Sequence, residues 1–346
     1  MECMQQLAKP SNLHQAGHAR SWTSRPYEDE DDLREMQRLL MEARARTDDW
    51  RYPHVGDLMW SFFMVTCHLD PREQIRLWQD DAGALIGYAL LGEDPSFDCQ
   101  VLPELAWAAR PGPSELRGTL LAAERAGGLE AEALAWAETR LAALRMEDAR
   151  RWGEGPVAVT RQDDAERIAF LEGRGFRRRS EHDEVNMLRA LAAPIPEPAL
   201  PAGWQVRAVA EAGETAERAG AQREVWQPWS VGDVCGEDYA SLMRLPGYDR
   251  DLDVVAVAPD GVIAAYANAW TDPINRIGDF GPVGARPAYR RRGLTRAVLL
   301  EGLRRMQARG IHRACVSTGV ANTPARRLYE SVGFRVVNRT LDYARE

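Results

Sequence analysis

Phe280-Gly-Pro-Val283-Gly-Ala285-Arg-Pro287-Ala-Tyr-Arg290-Arg291-Arg292-Gly293-Leu294-Thr295-Arg296-Ala-Val-Leu-Leu-Glu301 is the stretch whose reading decides the fold. A β-rich run stops at Pro287, a basic loop with one glycine follows, and an apolar-periodic helix begins at Thr295. The first turn of a helix has unpaired backbone N–H groups and the positive end of the dipole, so such a start attracts phosphate. Arg290, Arg291, Arg292 and Arg296 add positive charge there. The R-x-x-G core alone is weak, since a chain this rich in Arg and Gly holds roughly three by chance. Its position between a strand and a helix supplies the specificity.

Working outward, residues 204–209 read as a strand, helices fall near 211–227 and 237–244, and a hairpin spans 254–270. A strand over 276–285 leads into the quoted loop, and the helix 295–309 stops at Gly310. A strand at 313–317, a helix at 324–332 and two strands from Phe334 and from Arg339 complete an α+β order around a mixed, mostly antiparallel sheet. The first half repeats the plan, with helices near 31–46, 56–64, 130–144 and 164–174. Hairpin signals at 75–91 and 254–270 correspond, and in both halves a short helix closes on Gly-Phe-Arg, at Gly175-Phe176-Arg177 and Gly333-Phe334-Arg335.

Between the halves, Pro194, Pro196, Pro198 and Pro201 alternate in a run that excludes helix and central strand, so 192–203 reads as a semi-rigid linker. The expected organisation is a flexible tail (1–21), a first domain (22–191), the linker and a second domain (204–346). The 346 residues carry 44 basic and 52 acidic side chains, a net −8 that speaks against a duplex nucleic-acid binder. Charge is uneven, with 24 basic and 35 acidic residues before Trp204 leaving the second half slightly positive. No apolar run long enough for a membrane span and no signal-peptide core are visible, so the expectation is a soluble cytoplasmic protein, a monomer or homodimer. The five cysteines are widely spaced without C-x-x-C or H-E-x-x-H, which argues for reduced, mostly buried thiols and no metal.

Together with Asn322-Thr-Pro-Ala325-Arg-Arg-Leu328-Tyr329-Glu-Ser-Val-Gly333-Phe334, the loop resembles the acyl-CoA-binding region of the GNAT superfamily of N-acetyltransferases. The loop matches Q/R-x-x-G-x-G/A except at Thr295, which brings bulk where backbone should approach pyrophosphate and a hydroxyl able to cap the helix or donate to phosphate. The second motif, N-x-x-A-x-x-L-Y-x-x-x-G-F, matches throughout. The resemblance implies two tandem GNAT-like domains, a layout similar to the mycothiol synthases, with chemistry in the second. It implies an acetyl-CoA-dependent N-acetyltransferase acting on a small amine-bearing acceptor by direct attack on the thioester; the alternative is a sensor or scaffold that binds acyl-CoA without turnover.

The same resemblance assigns the pyrophosphate to Arg290 through Arg296, with Gly293, Leu294 and Thr295 supplying the helix start. It assigns the pantetheine arm to Val283, Ala285 and Asn322, the departing sulfur to Tyr329 as acid, and the base to Asp279. At strand period two, Asp279, Val283 and Ala285 would share a face. Each assignment has a plainer counterpart: a solvated Asp279 with Asp272, Glu237 or Asp238 as base, a Tyr329 that only packs, and an Asn322 that only shapes a helix start. The first half lacks these parts. Leu171 stands where Tyr329 does, and its counterpart loop, Arg125-Ala-Gly-Gly128-Leu-Glu130, has a carboxylate in the phosphate position. That half reads as degenerate, its seven tryptophans (Trp22, Trp50, Trp60, Trp78, Trp107, Trp136, Trp152) as core.

Overall fold

The structure, a computed structural model, describes residues 22–47, 52–92, 96–101, 115–148, 156–210, 212–227 and 234–345. The first half runs β1 (Trp22–Pro26), α1 (Glu30–Thr47), α2 (Val55–His68), α3 (Pro71–Gln74), β2 (Ile75–Asp80), β3 (Leu85–Leu91), β4 (Ser96–Val101), α4 (Glu115–Glu147), β5 (Val157–Arg161), α5 (Ala165–Gly173), β6 (Arg177–Arg178) and β7 (Glu184–Ala190). The second half runs β8 (Gln205–Ala208), α6 (Thr215–Trp226), α7 (Gly236–Leu242), β9 (Val254–Val257), β10 (Ile263–Asp272), β11 (Ile277–Ala285), α8 (Leu294–Ala308), β12 (Arg313–Gly319), α9 (Thr323–Ser331) and β13 (Arg335–Ala344).

Local chemistry explains the element ends. Glu30, Asp31 and Asp32 open α1 and Arg44 and Arg46 close it, each sign facing the pole of the helix dipole that favours it. Gly175 and Gly333 sit at φ +86° and +89°, where a Cβ is costly, and each turns the chain so that Phe176 or Phe334 enters the core. The repeat is exact in hydrogen bonding: Phe176 N–H bonds Leu171 O and Phe334 N–H bonds Tyr329 O, both at 3.1 Å.

The strands form one sheet in the order β1-β2-β3-β4-β5-β13-β7-β12-β11-β10-β9-β8, with β6 beside β13. The closing strands of the two halves are exchanged. β7, from the first half, pairs antiparallel with β12 over 184–190, while β13 pairs with both β5 and β7. The 192–203 segment has no helix or strand and is packed down: Ile195 enters the core under α8, and Gln307 Nε2 donates to Ala193 O at 3.0 Å. A second cluster joins α1 and α2 to α7, Ala219 and Trp270, so apolar burial also binds the halves together.

Three expectations need correcting. The two strands foreseen from Phe334 and Arg339 are one strand, β13, because a bulge between Val336 and Asn338 absorbs the irregularity without a turn. Residues 125–130 are not a loop before a helix but lie inside α4, so the first half has no helix start there, and Glu130 pairs with Arg167 at 3.2 Å. The three cysteines whose side chains are described do not behave alike: Cys315 is buried, Cys67 half-buried and Cys235 exposed as the N-cap of α7. Trp78 is buried and Trp60 and Trp136 pack on core clusters, while Trp50, Trp107 and Trp152, like the 1–21 tail, lie outside the described residues. Among the described residues no helix is long and apolar enough to cross a membrane.

Candidate active site

β11 and β12 run parallel for four residue pairs, Ile277 with Arg313 through Phe280 with Val316, and then part. β11 stays on β10 through Ala285 and β12 stays on β7 through Gly319, so the two central strands splay and leave an edge of β11 without a strand partner among the described residues. The cause is local. Between Ala267 and Ala269 β10 advances two residues while β11 advances three, from Phe280 to Val283, and the extra residue falls at Gly281-Pro282, where proline has no N–H to offer a ladder.

The bulge also changes which side chains share a face. Phe280, Val283 and Ala285 all pack toward α8, whereas a Cβ on Gly284 would meet Val225 and the Tyr266 hydroxyl on the opposite side. Asp279, paired with Trp270, projects to that opposite face, so the expectation that it shares a face with Val283 and Ala285 fails: one inserted residue inverts the alternation. The splay therefore has α8 on one side and Asp279 on the other.

At the open end of the splay stands the start of α8. Gly293 is the N-cap at φ +77°, no side chain caps the helix, and the first bond into it is Ala297 N–H to Gly293 O at 3.0 Å. Arg290, Arg291, Arg292 and Gly293 are exposed, Leu294 is buried, and Thr295 and Arg296 are half-buried. Thr295 is the second helical residue, not a cap. Arg290 reaches back to Ala285 O at 3.2 Å, engaging the backbone of a residue that the resemblance assigns to the pantetheine arm. None of these four arginines forms an ion pair among the described residues, in contrast to Arg286, held by Glu217 and Glu224. A Cβ on Gly293 would meet nothing within 4 Å. Unpaired cations, uncapped N–H groups and open space fit a pyrophosphate.

Tyr329 lies on α9 with its ring buried against Phe334, centroids 6.1 Å apart, and its hydroxyl has no hydrogen-bond partner among the described residues. Burial, then the charge of Asp279, raises its pKa, so the phenol stays protonated through the neutral range. Asn322 caps α9, its side chain accepting from Ala325 N–H at 3.3 Å, while its amide N–H groups have no partner among the described residues.

Asp279 is buried, and burial followed by the charge of Asp57 pushes its carboxyl well above the usual range; its neighbour Cys315, raised by burial, stays a neutral thiol. Of the alternatives named from sequence, Asp272 accepts from Asn275 in the β10–β11 turn, Asp238 closes the capping box of α7, and Glu237 is exposed on that helix.

Sequence reading missed the carboxylates from the first half. Glu184 opens β7 opposite Gly319, and Asp57 sits in the first turn of α2. That turn is pinned on β11 by His54, whose Nε2 lies 3.3 Å from Ile277 O while Nδ1 accepts from Gly56 N–H at 2.9 Å. Burial holds the His54 ring neutral, its pKa near 3. Glu184 keeps contact with solvent, yet desolvation by the atoms around it, then the charges of Asp57 and Asp342, pushes its carboxyl up to about 7. Beside it Ser317 donates to Asn186 at 2.7 Å and Asn186 bonds Thr340 at 2.9 Å.

A splayed strand pair ending at an uncapped basic helix start, with a buried tyrosine on the following helix, coincides with a family match: residues 221–334 fit the profile of the acetyltransferase (GNAT) family. Residues 221–334 are a GNAT acetyltransferase domain. It holds every site residue assigned from sequence. The mycothiol acetyltransferase of Thermobispora bispora is 32% identical over 162 residues, covering 43% of this chain and 52% of that protein. That of Nocardia farcinica is 29% identical over 177 residues, 48% of this chain and 57% of the relative. The chain thus spans about half the length of the curated relatives it matches.

Over both halves, the chain shares its fold with a GCN5-related N-acetyltransferase from Sphaerobacter thermophilus, at TM-score 0.59, 20% identity and coverage of 94% and 95%. A tandem GNAT protein from the clavulanic acid biosynthesis pathway gives TM-score 0.59 at 14% identity, covering 94% of this chain and 98% of that one. At such identities the likeness is one of fold. No cluster of residues able to hold a metal occurs among the described residues.

Proposed function

We propose that this chain is an acetyl-CoA-dependent N-acetyltransferase whose GNAT domain acetylates a small amine-bearing acceptor by direct attack on the thioester. The observation that carries this reading is the splay of β11 from β12, which joins the basic start of α8 to Tyr329 and opens toward Asp279 on the far face. Acetyl-CoA supplies an activated acetyl thioester when bound. The start of α8 and Arg290, Arg291, Arg292 and Arg296 hold its phosphates; the free edge of β11 at Val283 and the amide of Asn322 face its pantetheine arm.

Asp279 takes the ammonium proton at its carboxylate, which its raised pKa makes a stronger base than an exposed aspartate once ionised. Tyr329 donates at its hydroxyl to the departing sulfur, a role open to it because it is protonated and unpartnered. The degenerate first half contributes structure and, through Glu184 and Asp57, negative charge on the acceptor side, which suits a cationic amine.

Thiol release from acetyl-CoA tests the reading. The panel comprises alkylamines, amino acids and their amides, aminoglycosides, peptide N-termini and, because of the relatives' name, the amine that acetylation converts to mycothiol. Amine-dependent release supports the transferase; tight acetyl-CoA binding without release by any amine makes the chain an acyl-CoA sensor or scaffold.

A further inference from the structure

β10 presents Tyr266, Asn268 and Trp270 on the face away from α8, while Ala265, Ala267 and Ala269 enter the core beneath that helix. Asn268 is fully buried, and neither its Oδ1 nor its Nδ2 has a hydrogen-bond partner among the described residues. The Nε1 of the buried Trp270 is likewise unpaired. Nearly all buried polar atoms in folded proteins are satisfied, and an amide with both ends unpaired is among the costlier exceptions. A hydrophobic residue of the same size would stabilise this position, so stability does not explain an asparagine here.

Its place does. Asn268 faces the bulge, opposite Gly281-Pro282, where β11 leaves β12. Asp279 is next on the same face, paired with Trp270, and its Oδ2 lies 3.9 Å from the point a Cβ on Gly281 would occupy. α2 presses on one end of the row, where a Cβ on Gly56 would come within 3.0 Å of the Trp270 side chain. α6 covers the other end through Val225, beside Tyr266. Asn268 thus lies between the two helices, beside the carboxylate proposed as base.

We propose that Asn268 is an acceptor-contacting residue: its amide binds a hydroxyl or amide group next to the acceptor's amine and so positions that amine against Asp279. The proposal rests on the transferase reading and adds a specificity to it. An amide presents both donors and an acceptor, so it selects amines carrying a hydrogen-bonding group over plain alkylamines.

The test compares the full chain with Asn268→Leu, which keeps the size and removes both polar ends. Measured are the thermal midpoint, the acetyl-CoA Kd by calorimetry, and kcat/KM for L-cysteinamide and for propylamine. Expected are an unchanged or raised midpoint, an unchanged acetyl-CoA Kd, and a loss of about tenfold or more in kcat/KM for L-cysteinamide, the effect of one lost hydrogen bond in a buried site. Propylamine should lose much less. A lowered midpoint with unaltered kinetics would show that the amide is paired within the protein and overturn the proposal. So would an unchanged preference for L-cysteinamide. Should the leucine variant not fold, Asn268→Ala, smaller and without polar atoms, carries the same comparison. Absence of thiol release by the wild-type chain with every amine overturns the transferase reading and this one together; turnover that Asn268→Leu leaves untouched overturns only this one.

Discussion

Replacing Gly293 by glutamate separates the proposed phosphate-binding role of the α8 start from its structural role. The backbone there is left-handed, at φ +77°, so any L-residue costs about 1–2 kcal/mol of folding stability. No steric cost is added, because a Cβ meets nothing within 4 Å. Gly293→Ala carries the same backbone cost and is the control. Glutamate recovers roughly 0.3–1 kcal/mol by standing at the positive end of the helix dipole, so the charged variant should be the more stable of the two. Ligand binding should rank them the other way. Taking a carboxylate about 5 Å from two pyrophosphate charges in a largely hydrated site, repulsion amounts to about 2–3 kcal/mol, or roughly 30- to 150-fold in Kd. Gly293→Ala should weaken CoA only a few-fold. Calorimetric titration of both variants with CoA, repeated at high salt, gives the answer, since screening should shrink the gap. Equal affinities for the two variants, or a gap indifferent to salt, would mean that the phosphates lie elsewhere.

Tyr329→Phe keeps the ring that packs on Phe334, so acetyl-CoA affinity should hold while kcat falls by about 10- to 1000-fold, the usual range for a general acid; loss of affinity with kcat intact would assign the residue to packing. Asp279 must be ionised to accept a proton, and its pKa is raised, so wild-type kcat/KM should climb with pH through a range above that of ordinary carboxylates. Asp279→Asn should lose most at the low end of pH 6 to 10 and recover as the amine deprotonates itself, whereas a profile parallel to wild type would remove Asp279 from the mechanism. Glu184, raised to about 7, retains in the folded chain a proton that the unfolded chain releases near its ordinary value, so its contribution to stability is present at low pH and is lost as pH rises through about 7. Glu184→Gln should therefore flatten the fall in urea midpoint between pH 5 and pH 8 without abolishing it, because Asp279 acts with the same sign; an unchanged slope would place Glu184 in ordinary solvent.

What the sequence determined is what short-range chemistry controls. Pro287, the arginine-rich loop and Gly293 dictate a strand end, a tight turn and a helix start within a few residues, and Gly333-Phe334 fixes Tyr329 in the last turn of a helix. The same locality made the repeat visible and marked Leu171 as the first half's counterpart of Tyr329. Tertiary structure decided the rest. A single extra residue at Gly281-Pro282 turns Asp279 away from Val283 and Ala285, because alternation along a strand counts residues and a bulge changes the count without changing composition. The exchange of β7 and β13 brings Glu184 beside Gly319, and His54 docks Asp57 against β11 from more than two hundred residues away. No spacing rule predicts such neighbours. They follow from which strand edge and which apolar face remain to be covered once each half has folded, and that is settled only when the whole chain packs.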